Sequence, residues 1–178
     1  MLKPGDLAPD IDAITTTGDR FVLSAQQSIC TVVYFFPRAF TPGCTRETKT
    51  FAANHAELEL AGASIVGVST DHDDRQCEFA RELAVPFPLV SDADKRIGKA
   101  YGVLYPLIGI AKRVTFVIGA QRSVAAVFHD GLDTAPHRDG VLPFVHRYCE
   151  AVRAKSRELW SAQLEVGQAK TVPEPKDG

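Results

Sequence analysis

No Cys-x-x-Cys pair occurs in this 178-residue chain, whose four cysteines (Cys30, Cys44, Cys77 and Cys149) lie far apart. A zinc ribbon and a thioredoxin-type dithiol both lack their signature. No apolar run approaches the roughly 18 residues of a transmembrane helix, so none is expected. Met1 to Arg20 has prolines and acids but no apolar signal-peptide core. Scattered cysteines with no export signal suggest reduced thiols, one of them open to being reactive, and a cytoplasmic protein is expected. A net charge of −2 removes the electrostatic case for nucleic acid or an anionic membrane surface. There is no internal repeat.

What remains is ordinary globular composition, 45% hydrophobic, in a chain long enough for one domain with a sizeable core. Residues 1–160 read as that domain. Residues 161–178 read as a C-terminal extension, thinning from Lys170 into a partly disordered tail. Ile11 to Ile14 and Arg20 to Leu23 suggest a hairpin around Thr17-Gly18-Asp19. Ile29 to Phe36 and Ser64 to Ser69 read as buried strands, the second in a parallel position. Asp73 to Ala84 reads as a helix, Phe87 to Val90 as a strand and Asp92 to Tyr101 as a helix. Val114 to Ile118 and Ser123 to His129 form a second hairpin. A long helix from about Asp139 to Trp160 carries Val141, Leu142, Val145, Tyr148, Cys149 and Val152 on one face. Gly102 to Lys112 is an apolar loop, either a substrate or partner rim or a segment packed on the core. Cys30 and Cys149 read as buried structural residues and His55 as packed or half-exposed. The run Asp71-His72-Asp73-Asp74 reads as acids complementing a helix dipole rather than a metal site. The alternation predicts an α/β layered domain.

Reactive groups in such sheets sit past the carboxyl ends of strands. The stretch Pro37-Arg-Ala-Phe-Thr41-Pro-Gly-Cys44-Thr-Arg-Glu47 occupies that place. Thr41 is a natural N-cap and Pro42 a natural first helical residue. Cys44 then falls in the first turn of a helix running to about Leu60. Free N–H groups and the positive end of the dipole face its sulfur there and favour a thiolate.

Pro37-x-x-x-Thr41-x-x-Cys44 resembles the peroxidatic motif of the peroxiredoxins. The wider run Tyr34-Phe-Phe-Pro-Arg-Ala-Phe-Thr-Pro-Gly-Cys-Thr is most similar to their Q-type, or bacterioferritin-comigratory, branch. Gly5-Asp-Leu-Ala-Pro9, Gly67-Val-Ser-Thr-Asp71, Phe87-Pro-Leu-Val-Ser-Asp92 and Arg113-Val-Thr-Phe-Val-Ile118 agree in order, and the resemblance covers about residues 3 to 155. It implies a thioredoxin-like fold, a central mixed β-sheet flanked by helices with an N-terminal hairpin. It implies a thiol peroxidase that reduces hydrogen peroxide and organic hydroperoxides, recycled by a thioredoxin-like reductant, with neither cofactor nor metal, as a monomer or homodimer. Residue by residue, Cys44 would be the nucleophile. Thr41 would bond sulfur and peroxide, Pro37 would shield the sulfur, Arg113 would be the active-site arginine and Glu47 would hold it. Many of the branch carry a resolving cysteine five residues after the nucleophile, where this chain has Lys49. Others place it in the helix after the next strand, which makes Cys77 the first candidate, with a one-cysteine cycle or Cys149 as alternatives.

The chemistry has a quantitative constraint. A free cysteine of pKa about 8.5 is only about 3% thiolate at pH 7. Lowering its pKa to roughly 6 gains about 30-fold in thiolate. Falling nucleophilicity takes back roughly 10-fold. The remaining acceleration must come from donors aimed at the oxygens as charge moves onto the leaving group. The competing readings are a redox sensor or relay passing oxidation from Cys44 to a partner, and a non-enzymatic binding module. A cysteine hydrolase is disfavoured, since no histidine is designated as its base.

Overall fold

An antiparallel hairpin of β1 (Asp12–Ile14) and β2 (Arg20–Val22) precedes the main sheet in the computed structural model, which describes residues 1–129 and 140–169, with side chains to 161. The tail from Lys170 lies outside the described residues. β3 (Cys30–Phe35) is buried at every position. A pleated strand sends alternate side chains to opposite faces, so an unbroken apolar run can be satisfied only when both faces are covered. Cys30, Val32 and Tyr34 join one hydrophobic cluster, and Val33 and Phe35 join the other.

Thr41 has extended backbone and Pro42 opens α1 (Pro42–Ala61), which ends at Gly62 in the left-handed conformation (φ 93°). β4 (Ala63–Ser69) pairs in parallel with β3. α2 (Asp73–Glu82), β5 (Leu89–Ser91), α3 (Arg96–Tyr101), β6 (Val114–Ile118), β7 (Val124–His129) and α4 (Leu142–Ala169) follow. The strand order in the five-stranded sheet is β5-β4-β3-β6-β7. β5 runs parallel to β4, while β6 is antiparallel to β3 and β7 to β6. This is the mixed sheet flanked by helices that the family resemblance implied, in an α/β layered domain.

The differences from the sequence reading have local causes. The strand expected over Phe87 to Val90 pairs only from Leu89, because Pro86 and Pro88 have no N–H to give a ladder. The helix expected from Asp92 begins at Arg96. The Asp92 carboxylate instead accepts the N–H groups of Ile97 (2.9 Å) and Gly98 (2.7 Å) from outside the helix. α2 stops at Glu82, before Ala84 at φ 47°. α4 runs past the expected end at Trp160 to Ala169, through good helix formers such as Arg157, Glu158, Leu159 and Gln163. The apolar loop divides: Val103 and Ala111 are buried, while Tyr105, Leu107 and Ile108 are exposed. Among the described residues no helix is long and apolar enough to cross a membrane.

Gly67 in β4 packs closely against Tyr34 of β3 and Leu89 of β5. A Cβ there would lie 2.6 Å from both Leu89 Cδ2 and Tyr34 Cζ. Leu89 could yield, but the Tyr34 ring is held between Phe36 and Phe51. Gly67→Ala should lower unfolding free energy by about 2 kcal/mol in urea titration. An unchanged midpoint would mean that the ring has room to shift.

Candidate active site

β3 ends at Phe35, and residues 37–41 turn the chain into α1. Phe40 takes φ 66°, a conformation unfavourable for a bulky residue that surrounding contacts must hold. The entrance to α2 supplies those contacts. Asp71 Oδ2 accepts the Ala39 N–H at 2.7 Å and the Ser69 hydroxyl at 2.8 Å. Arg75 donates to the Ala39 carbonyl at 3.0 Å, lies 5.2 Å from the Phe40 ring centroid and approaches Asp71 Oδ1 at 3.4 Å. Sequence reasoning gave neither residue this role. Asp71 turns inward, whereas His72, Asp73 and Asp74 face solvent. Among the described residues no group of such side chains is placed to hold a metal.

Cys44 lies in the first turn of α1 with no exposed surface. Arg113 reaches it from β6. In the β3–β6 pairing Val114 stands opposite Phe35, so the preceding Arg113 emerges where β3 ends and α1 begins. Its Nη2 donates to the Cys44 sulfur at 3.3 Å, and its Nη1 donates to Glu47 Oε2. Glu47 sits one turn after Cys44 on the same helix face. Gly43 makes the approach possible: a Cβ there would lie 2.8 Å from Arg113 Nη2, a group already fixed by both its partners.

The site is electrostatically tight. Burial disfavours charge on Arg113, but the Glu47 carboxylate and the Cys44 sulfur outweigh it and hold the guanidinium pKa above its ordinary value. Tyr34 donates or accepts at Thr48 Oγ1 (3.2 Å) beneath the site. Burial pushes its phenol well up, with Glu47 and Cys44 adding to that, so it stays neutral. A cation thus meets a sulfur set in the first turn of a helix, where the dipole is positive, the arrangement that stabilises negative charge on sulfur and on an oxygen beside it.

The structure brings together Cys44, Arg113 and Glu47. Thr41 holds the N-cap position, but its hydroxyl donates to the Arg38 carbonyl at 3.0 Å and makes no capping bond to α1. Pro37 is half-buried at the start of the same turn. Cys77 lies on α2, the helix after β4. Gln76 and Phe79 form the inward face of α2, and Cys77 is exposed. Cys30 and Cys149, expected separately in the core, meet there with their sulfurs 3.6 Å apart. His55 is packed as expected, against Phe87.

Comparison with known proteins gives a consistent set. The model of the AhpC/TSA family matches residues 4–127. Peroxiredoxin Bcp of Escherichia coli is 33% identical over 153 residues, covering 83% of this chain and 97% of that protein. The crystal structure of peroxidoxin BcpB from Mycobacterium tuberculosis superposes with TM-score 0.74 at 33% identity, over 85% of this chain and 99% of that one. The Xanthomonas campestris bacterioferritin comigratory protein superposes with TM-score 0.71 at 30% identity, over 78% and 92%. Its trapped intermediate and ligand complex structures concern alkyl peroxide reduction activity.

The turn that delivers Cys44 depends on the Asp71 acceptor. Asp71→Ala should destabilise the fold by about 1–3 kcal/mol, since it leaves the Ala39 N–H without its partner, and should speed hydrogen exchange at that amide. Asp71→Asn keeps an acceptor oxygen and should recover most of the loss. Equal damage from both substitutions would assign the effect to charge instead.

Proposed function

This chain belongs to the AhpC/TSA family and is a thiol peroxidase of the peroxiredoxin type, and on that premise we propose that Cys44 is its peroxidatic nucleophile. The observation that carries the assignment is the buried Cys44 sulfur with Arg113 Nη2 at 3.3 Å. The thiolate attacks one oxygen of a hydroperoxide. An S–O bond forms, the O–O bond breaks, and the departing oxygen leaves with a proton as water or an alcohol. The sulfur is left as a sulfenic acid.

Arg113 and the amides of the first α1 turn are the donors for the charge that develops on the oxygens. Glu47 is a positioning residue that fixes the guanidinium. Thr41 acts once its hydroxyl turns from the Arg38 carbonyl toward the sulfur and the bound peroxide. Pro37 limits water at the mouth of the turn. The exposed Tyr105, Leu107 and Ile108 stand in the loop that leads into Arg113 and suit the organic portion of a hydroperoxide. The alkyl peroxide reduction attached to the Xanthomonas relative supports that substrate class.

For the return half of the cycle, Cys77 is the resolving thiol and a thioredoxin-like dithiol protein is the reductant. Cys77 is accessible on α2 while Cys44 is buried, so the sulfenic acid must leave its pocket to reach it. Unwinding the first turn of α1, with Gly43 and the Thr41 cap inside it, provides that path.

Cys44→Ser should abolish catalytic turnover of peroxide. Arg113→Ala should slow the peroxide step by about 100-fold or more, the loss typical of one donor to a developing oxyanion. Stopped-flow rates set beside the ultraviolet absorbance of the thiolate separate the two contributions, and a loss fully explained by missing thiolate would sink the donor role. One equivalent of hydrogen peroxide followed by non-reducing peptide mapping should yield a Cys44–Cys77 linkage. A lasting Cys44 sulfenic acid beside a free Cys77 would remove Cys77 from the cycle.

A further inference from the structure

Two cysteines take no part in the chemistry above. Cys30 opens β3 and Cys149 lies on the inward face of α4, 119 positions later. Both are buried, with Cys30 at 1% and Cys149 at 0% exposure, in the same core cluster as Val32, Tyr34, Val141 and Val145. Their sulfurs are 3.6 Å apart, and each thiol finds its hydrogen-bonding partner in the other. The position is mechanically sensitive. Cys30 pairs with Ala63, directly after the α1 terminus, and Arg153, one turn beyond Cys149, donates to the Leu60 carbonyl at 3.0 Å. The two sulfurs therefore sit where β3, the end of α1 and α4 meet.

We propose that Cys30 and Cys149 form a second redox site, a buried dithiol that hydroperoxide in excess converts to an intramolecular disulfide bolting α4 to β3. Closing the bridge shortens the sulfur separation from 3.6 Å to about 2.05 Å, an adjustment within the reach of side-chain rotation and a small helix shift. In the first step one sulfur attacks the hydroperoxide, an S–O bond replaces the O–O bond, and water or an alcohol departs. In the second step the other sulfur displaces the sulfenic oxygen, the S–S bond forms, and that oxygen leaves as a second water carrying the remaining thiol proton. The two sulfurs lose two electrons and the peroxide oxygens gain them.

The surroundings make this site slow. Burial pushes the Cys30 thiol far up, and the neighbouring Cys149 adds to it. Burial also raises the Cys149 thiol, partly offset by the Cys30 hydrogen bond and by Arg153. Thiolate is scarce and solvent is excluded, so the pair oxidises only where exposure to peroxide outlasts openings of α4. Once formed, the bridge encloses α1, Cys44 and Arg113 in one covalent loop, and a loop of that length restricts the unfolded chain strongly.

The test uses the full chain with Cys44→Ser and Cys77→Ser, so that only the pair remains; the inference thereby stands or falls independently of the role of Cys44. The folded protein is held in excess hydrogen peroxide, then acid-quenched, denatured, alkylated and peptide-mapped. A parallel sample is refolded in a glutathione redox buffer, which removes access as a variable. The unsubstituted protein is mapped under the same treatment, so that the result does not depend on the variant folding. Expected are a linked Cys30–Cys149 peptide in a monomer and a rise in Tm on the order of 10 °C, both reversed by dithiothreitol. The linkage should appear more slowly than oxidation of Cys44 in the unsubstituted protein. Free thiols in every sample, glutathione adducts in place of the bridge, linkage between chains, or an unchanged or lowered Tm would overturn the proposal.

Discussion

A guanidinium taken out of water must be met by negative groups placed for it, because removing one partner of a buried ion pair leaves a costly uncompensated charge. In this protein Arg113 is that guanidinium, and its two partners, Glu47 and the Cys44 sulfur, are one turn apart on α1. The requirement ties the start of one helix to the start of a strand far away in sequence. It also explains Gly43, where any side chain would meet the guanidinium. The three groups that satisfy the buried charge are also those proposed above for the peroxide step, so stability and the proposed chemistry draw on one set of contacts.

Around this centre the supports are of different kinds. The β3–β6 register decides where Arg113 emerges, and the N-cap geometry of Thr41 and Pro42 decides where α1 starts. Asp71 and Arg75 hold the backbone strained at Phe40 from the side. Strain at such a turn persists when neighbouring structure over-determines it, and here a carboxylate and a guanidinium both do so. The turn thus joins two helices, one carrying the buried Cys44 and the other the exposed Cys77.

The parts of this arrangement that were legible in the sequence are those with a local cause. An unbroken run such as Ile29 to Phe36 needs cover on both faces, and Thr41-Pro42 marks a helix start wherever it occurs. Cys44 followed directly, and Arg113 and Glu47 followed from the resemblance, since nothing local joins residues so distant. Contacts that depend on the rotation of an element were not legible. The rotation of α2 about its axis buries Gln76 and Phe79 and leaves Cys77, the adjacent position, in solvent. Asp71 lay in an acidic run whose other members face water, and only the fold turns it inward. Cys30 and Cys149 each read correctly as core residues, yet their meeting depends on how α4 crosses the sheet. The loop from Gly102 to Lys112 follows both alternatives at once, anchored by Val103 and Ala111 with its tip in solvent.

The separation of Arg113 from Cys44 also has a meaning in time. The two are 69 residues apart, and β6 joins the sheet only as a partner of β3. At a synthesis rate of about 5–20 residues per second, the cysteine exists for roughly 3 to 14 s before its arginine has been made. During that interval it is an ordinary thiol on a growing chain, lacking the cation and the covering strand. The pocket around Cys44 is therefore completed late, by the strand that brings Arg113 beside β3.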